Sequence, residues 1–145
     1  MAEDKMARVW KRFQDITGYS DAELAKFKAT PKFVHMFNTP TFRTHKIVAE
    51  VISSHGCVCQ HHVGQRLVLN GNGALLRDEC PPLMCLGLVS QLWGPIGALY
   101  ERFAAGLDPN GLLFNTVSCT DVSLECGGWG RVLARVKVEG PGEKK

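Results

Sequence analysis

Apolar residues recur at every third or fourth position near the start of the chain and at every second position further on, and the change of period separates a helical arm from a mixed body. Met6, Val9, Trp10, Phe13 and Ile16 form one helical stripe, with Gly18 placed to end the helix. Ser20-Asp21-Ala22-Glu23 has the form of a capping box, in which hydroxyl and carboxylate satisfy free backbone donors at a helix start. Thr30-Pro31 opens a third short helix, with proline at the first helical position, and Asn38-Thr39-Pro40 closes it. Ile47, Ala49 and Val51 then alternate with Val48, Glu50 and Ile52, predicting a strand that delivers the chain to His55 and Cys57. Segments 66–69 and 74–76 flank Asn70-Gly71-Asn72-Gly73 and predict a hairpin, because Asn-Gly supplies the positive φ angles of a tight turn. Pro81-Pro82 predicts the start of a helix carrying Cys85, Leu88, Val89 and Leu92 on one face; Gly94-Pro95 breaks it, and a second helix runs to about Gly106. Two more strands are expected at 113–120 and 131–138, the last with Val132, Ala134, Val136 and Val138 on its inner face.

Strands and helices in blocks, with a hairpin, predict an α+β fold: a small, mostly antiparallel sheet or partial barrel with a central helical pair and an N-terminal helical arm. The expected organisation is an arm over residues 1–42, a cysteine-rich domain over 43–139 and a disordered tail over 140–145. The aromatic stripe of the arm needs cover, which the β-rich body or a second subunit would supply. With 145 residues the chain is long enough to bury a core without covalent staples. Its net charge of +3 is scattered, which argues against a nucleic-acid partner. The N-terminus lacks the apolar stretch of a signal peptide, and the longest apolar region, near 83–99, is broken by Ser90, Gln91, Gly94 and Pro95, so no membrane span is expected. These features predict a cytoplasmic protein with reduced thiols, in which cysteines serve as ligands, reactive groups or core fillers.

All six cysteines follow residue 56. Cys57 ends the first strand, Cys80 and Cys85 mark the central helix, and Cys119 and Cys126 flank the loop before the last strand. If these boundaries converge, Cys57, Cys80, Cys85, Cys119 and Cys126, with His55, His61 or His62, supply more than the four ligands that a zinc ion, an iron ion or an iron–sulfur cluster requires, Cys57, Cys80, Cys119, Cys126 and His55 being the leading set. The competing reading is buried thiols acting as small hydrophobes. Cys80, ahead of Pro81-Pro82 at the expected helix start, is also the candidate nucleophile, since a helix N-terminus favours a thiolate. His61 is the candidate acid or base beside it. In Glu125-Cys126-Gly127-Gly128-Trp129-Gly130, Gly127 permits close approach of a ligand and Trp129 could wall a pocket or plug the end of the sheet.

Ser54-His55-Gly56-Cys57, His61 with Val63-Gly64, Cys80-Pro81 with Cys85, and Cys119-x-Asp121-Val122 leading into Glu125-Cys126-Gly127-Gly128-Trp129-Gly130 resemble a family of small, uncharacterised cysteine-rich proteins of anaerobic bacteria and archaea. Cys59 departs from that family's pattern. That family assigns no reaction, so the resemblance strengthens the site without identifying it; the leading expectation is a cytoplasmic metal- or iron–sulfur-binding redox or accessory protein of anaerobic metabolism, working as a homo-oligomer or within a larger enzyme complex. The alternatives are a small cysteine- or metal-dependent enzyme acting on a small molecule, and a structural subunit.

Overall fold

The computed structural model describes residues 2–143, without the side chains of residues 2, 3, 40 and 41. The end of the expected tail, Lys144-Lys145, lies outside the described residues. The chain divides into two compact units, one ending at Asn38 and the other beginning at Thr39.

The first unit consists of α1 (Ala2–Thr17), α2 (Asp21–Lys28) and α3 (Pro31–Asn38). Gly18 follows α1 with a φ of 69°, a left-handed conformation that costs glycine nothing. The capping box forms as the sequence predicts: Glu23 N–H donates to Ser20 Oγ at 3.3 Å, and Ser20 N–H donates to the Glu23 carboxylate at 2.8 Å. The stripe of α1 finds cover within the unit itself. Trp10 stacks on Phe37 with ring centres 4.3 Å apart, and Phe13 lies 4.8 Å from Phe27 and 5.1 Å from Phe37. Three short helices thus close around one aromatic cluster, although Ile16, at the end of the stripe, stays exposed.

The second unit holds α4 (Pro40–Thr44), β1 (Lys46–His55), β2 (Arg66–Leu69), α5 (Leu86–Val89), α6 (Trp93–Ala104), β3 (Thr116–Ser118) and β4 (Arg131–Glu139). The strands make an open antiparallel sheet in the order β2-β1-β4-β3. Its inner face presents Ile47, Ala49, Val51, Leu67, Val132, Ala134, Val136 and Val138, and Leu88, Leu92, Ile96, Leu99 and Phe103 of the helical layer pack on it. The fold is the expected α+β, with a two-layer core.

Four features differ from expectation. No helix begins at Pro81-Pro82; residues 80–85 are irregular and α5 starts only at Leu86, with Cys85 as its N-cap. Gly94-Pro95 breaks nothing, because both lie in the first turn of α6, where the N–H that proline lacks would have no intrahelical acceptor. The strand expected over 113–120 shrinks to Thr116–Ser118, and Leu113 and Phe114 are left exposed. Similarly, the return strand of the hairpin is reduced to a Leu69–Leu75 bridge, and β2 finds its ladder partner in β1, with Ile47 opposite Leu69.

Candidate functional site

Two glycines set the site's geometry. β1 and β4 run side by side to His55 and Arg131, and there the chain segments cross backbone against backbone. A Cβ on Gly56 would lie 2.6 Å from the Trp129 carbonyl oxygen, and one on Gly130 would lie 2.3 Å from the Gly56 backbone. Only glycine at both positions allows that approach. The crossing sets the 57–60 turn, closed by Gln60 N–H donating to the Cys57 carbonyl at 3.1 Å, beside the loop that follows β3.

Between these loops and the start of α5 lies a cavity of about 60 Å³, lined by Cys57, Cys59, His61, Cys85 and Cys119, with Asp121 and Arg131 also on its wall. That volume admits an ion or a few waters, not a drug-sized organic molecule. Cys85 is held by the backbone: its N–H donates to His61 Nε2 at 3.2 Å. Because Nε2 accepts, the ring proton sits on Nδ1, which donates to Gln65 Oε1 at 2.6 Å. His61, only 3 % exposed, therefore has both nitrogens engaged. Cys119 is fixed from β4, with its N–H donating to the Val132 carbonyl at 2.9 Å and its Sγ accepting the Val132 N–H at 3.2 Å. α5 approaches the same wall through Thr120 N–H, which donates to the Gly87 carbonyl at 3.1 Å.

The Cys59 thiol is pushed up from its ordinary pKa, first by a hydrogen bond with the Cys85 thiol, then by the charge of Cys85, by burial and by the charge of Cys57. Asp121 is an anchor for the second loop. Its carboxylate accepts N–H groups from Gly130 at 3.1 Å, Trp129 at 3.0 Å and Ser123 at 3.2 Å, and these bonds, Gly130's first, hold its pKa below the ordinary carboxylate range.

Cys57, Cys119 and His61 line one cavity, His61 beside Cys85 and not beside Cys80 as expected, whereas Cys80, Cys126 and His55 do not line it. Cys80 follows a 3₁₀ turn at Arg77–Glu79 instead of opening a helix, so its expected dipole activation has no basis. Its sulfur accepts the Val68 N–H at 3.2 Å and donates to the Val68 carbonyl at 3.3 Å, satisfying the outer edge of β2. Cys126 is exposed, and Gly127 ends its turn at a φ of 85°. Trp129 contributes backbone only, its side chain being 71 % exposed. Cys59 also lines the cavity although the sequence reading gives it no role, and Cys85, expected on the apolar face of the central helix, lines it as well. Cys85 is the N-cap of α5, not a residue of its apolar face, and this places it at the cavity wall; the spacing of Cys59 two residues after Cys57 is the signal that puts both in one turn.

Among the described residues, no three His, Cys, Asp or Glu groups stand ready-placed around a single metal ion. No helix among them is long and apolar enough to cross a membrane. No protein-family profile, curated protein or solved structure matches the chain.

Proposed function

We propose that the protein binds a soft metal ion, zinc or iron, through Cys57, Cys59, Cys85 and Cys119, and that it serves as a redox or accessory protein of the anaerobic kind that its motifs resemble. The observation that carries this reading is that four of the six cysteines border one small cavity. Four thiolates are a soft, tetrahedral donor set of the type that zinc and iron prefer. Binding would deprotonate the thiols and turn their side chains toward the ion to form metal–sulfur bonds. The cavity's size favours a single ion over a cluster. His61 serves this site as a positioning residue, since both of its nitrogens are used to hold Cys85.

The test is anaerobic purification, loading with Zn(II) or Fe(II) and elemental analysis after dialysis. About one ion per chain should remain in the wild type, in Cys80→Ser and in Cys126→Ser, and at least tenfold weaker retention is expected in Cys85→Ser and Cys119→Ser. Equal retention in all five proteins, or none in the wild type, would overturn the reading.

A further inference from the structure

We infer that the outer edge of β3 is a docking site for an extended, acidic segment of a partner protein, which joins the sheet as an added strand. The edge is open by the pattern of its hydrogen bonds. Cys119 N–H donates to the Val132 carbonyl at 2.9 Å, and Val136 N–H donates to the Asn115 carbonyl at 2.7 Å. In an antiparallel ladder such bonds fall on alternate residues, so Asn115, Val117 and Cys119 face β4 while the N–H and C=O groups of Thr116 and Ser118 point away from it. Among the described residues no other segment bonds to those backbone groups. Elsewhere the border of the sheet is covered. Cys80 Sγ and the Leu76 N–H satisfy Val68 on β2. Where β4 runs past β3, the Asn110 side chain accepts the Val138 N–H at 2.7 Å and donates to the Val138 carbonyl at 2.9 Å. Just beyond β3, the Gly87 carbonyl takes the Thr120 N–H. β3 therefore offers the unpaired groups at which a further strand can add.

Two neighbouring features state the chemistry of that strand. Leu113 and Phe114, immediately before the edge, are 86 % and 82 % exposed and call for apolar cover. Arg131 and Arg135 stand exposed on the outer face of β4, Arg135 opposite Thr116 and Arg131 with its Nε donating to Ser118 Oγ at 3.3 Å. Neither is in an ion pair among the described residues, and Glu50, opposite Arg135 on β1, is engaged by Lys137 at 3.0 Å. An added strand lies about 4.8 Å from β3 and roughly 10 Å from β4, a gap that an arginine and a glutamate side chain span together. Pairing β3 with β3 of a second copy would instead bring the arginines of both chains to one seam, where like charges repel. The occupant is thus a segment that alternates acidic residues on the outer face with apolar residues on the other. Metal binding has no part in this pairing, so the two readings stand or fall separately.

The experiment uses the full chain, with a blocked hexapeptide alternating glutamate and valine as the probe and amide NMR with hydrogen exchange as the readout. Saturable binding that protects the Thr116 and Ser118 N–H groups is expected. A lysine–valine peptide should bind roughly tenfold more weakly, and Arg135→Gln should weaken the glutamate peptide about threefold, as for an exposed ion pair. Of two glutamate peptides methylated on alternate backbone nitrogens, the one whose methyl groups face β3 should not bind. The lysine and methylated peptides are read on the wild-type chain, so the outcome does not depend on the folding of the variant. No binding, equal binding of the glutamate and lysine peptides, or protection confined to residues outside β3 would overturn the inference. So would light scattering that shows the free chain to be a dimer with Thr116 and Ser118 already protected, since the edge would then belong to a second copy.

Discussion

At the scale of single residues, His61 anchors Cys85 at the cavity wall through the Cys85 N–H. It is adjacent to His62, and nothing in the sequence distinguishes the two, yet His61 is buried between Gln65 and the Cys85 N–H while His62 is exposed and reaches only the Gln60 carbonyl. His61→Ala leaves the Cys85 N–H and the Gln65 side-chain Oε1 without the partner they have now, at a cost of about 1–3 kcal/mol for such part-buried groups. Denaturant unfolding should show that loss, and His62→Ala should unfold as the wild type does. Cys80 makes the complementary case. A proline pair read as a helix opening promised an activated thiol, but the sulfur completes the hydrogen bonding of Val68. In timed alkylation of the reduced protein followed by mass spectrometry, exposed Cys126 should be modified before Cys80; the reverse order would contradict this assignment.

At the scale of elements, legibility followed the strength of the local signal. The capping box at Ser20 and the strict alternation of β4 were both readable, because each states its structure within a few residues. α5 and β3 were not, since α5 is a single turn defined by what it packs against and β3 is three residues paired to β4. The glycine crossing at Gly56 and Gly130 was equally hidden, being a contact between segments remote in sequence. Gly87 belongs to this class. A Cβ there would lie 2.5 Å from Thr120 Oγ1 and 3.4 Å from Cys85 Sγ, so Gly87→Ala must shift either the Thr120 side chain or the start of α5, disturbing the wall that Cys85 and Thr120 share. Overpacking of this kind costs about 1–3 kcal/mol. The expected outcome is a lower melting temperature together with weaker zinc binding by indicator competition; a variant unchanged in both would show that α5 does not need to approach so closely.

At the scale of the whole molecule, composition and period indicated an α+β chain with its thiols in the later part, and the two-layer second unit bears that out. Acid response is a property at this scale. The carboxyl pKa of Asp121 is held down by backbone N–H groups, that of Glu50 by Lys137 at 3.0 Å. A folded-state pKa below the unfolded value of about 4 gives stability that is fully present above that value and is lost as pH falls through the lower folded one. Melting temperature should therefore be flat from neutral pH to about 5 as far as these two groups act, then fall as they protonate, with a shallower fall in Asp121→Asn. The measurement that tests the central claim most directly is X-ray absorption at the metal edge of the zinc-loaded, reduced protein. The account predicts a shell dominated by sulfur at about 2.3 Å, with roughly one sulfur fewer in Cys85→Ser and no change in Cys80→Ser. A first shell made only of nitrogen and oxygen at about 2.0–2.2 Å would contradict it.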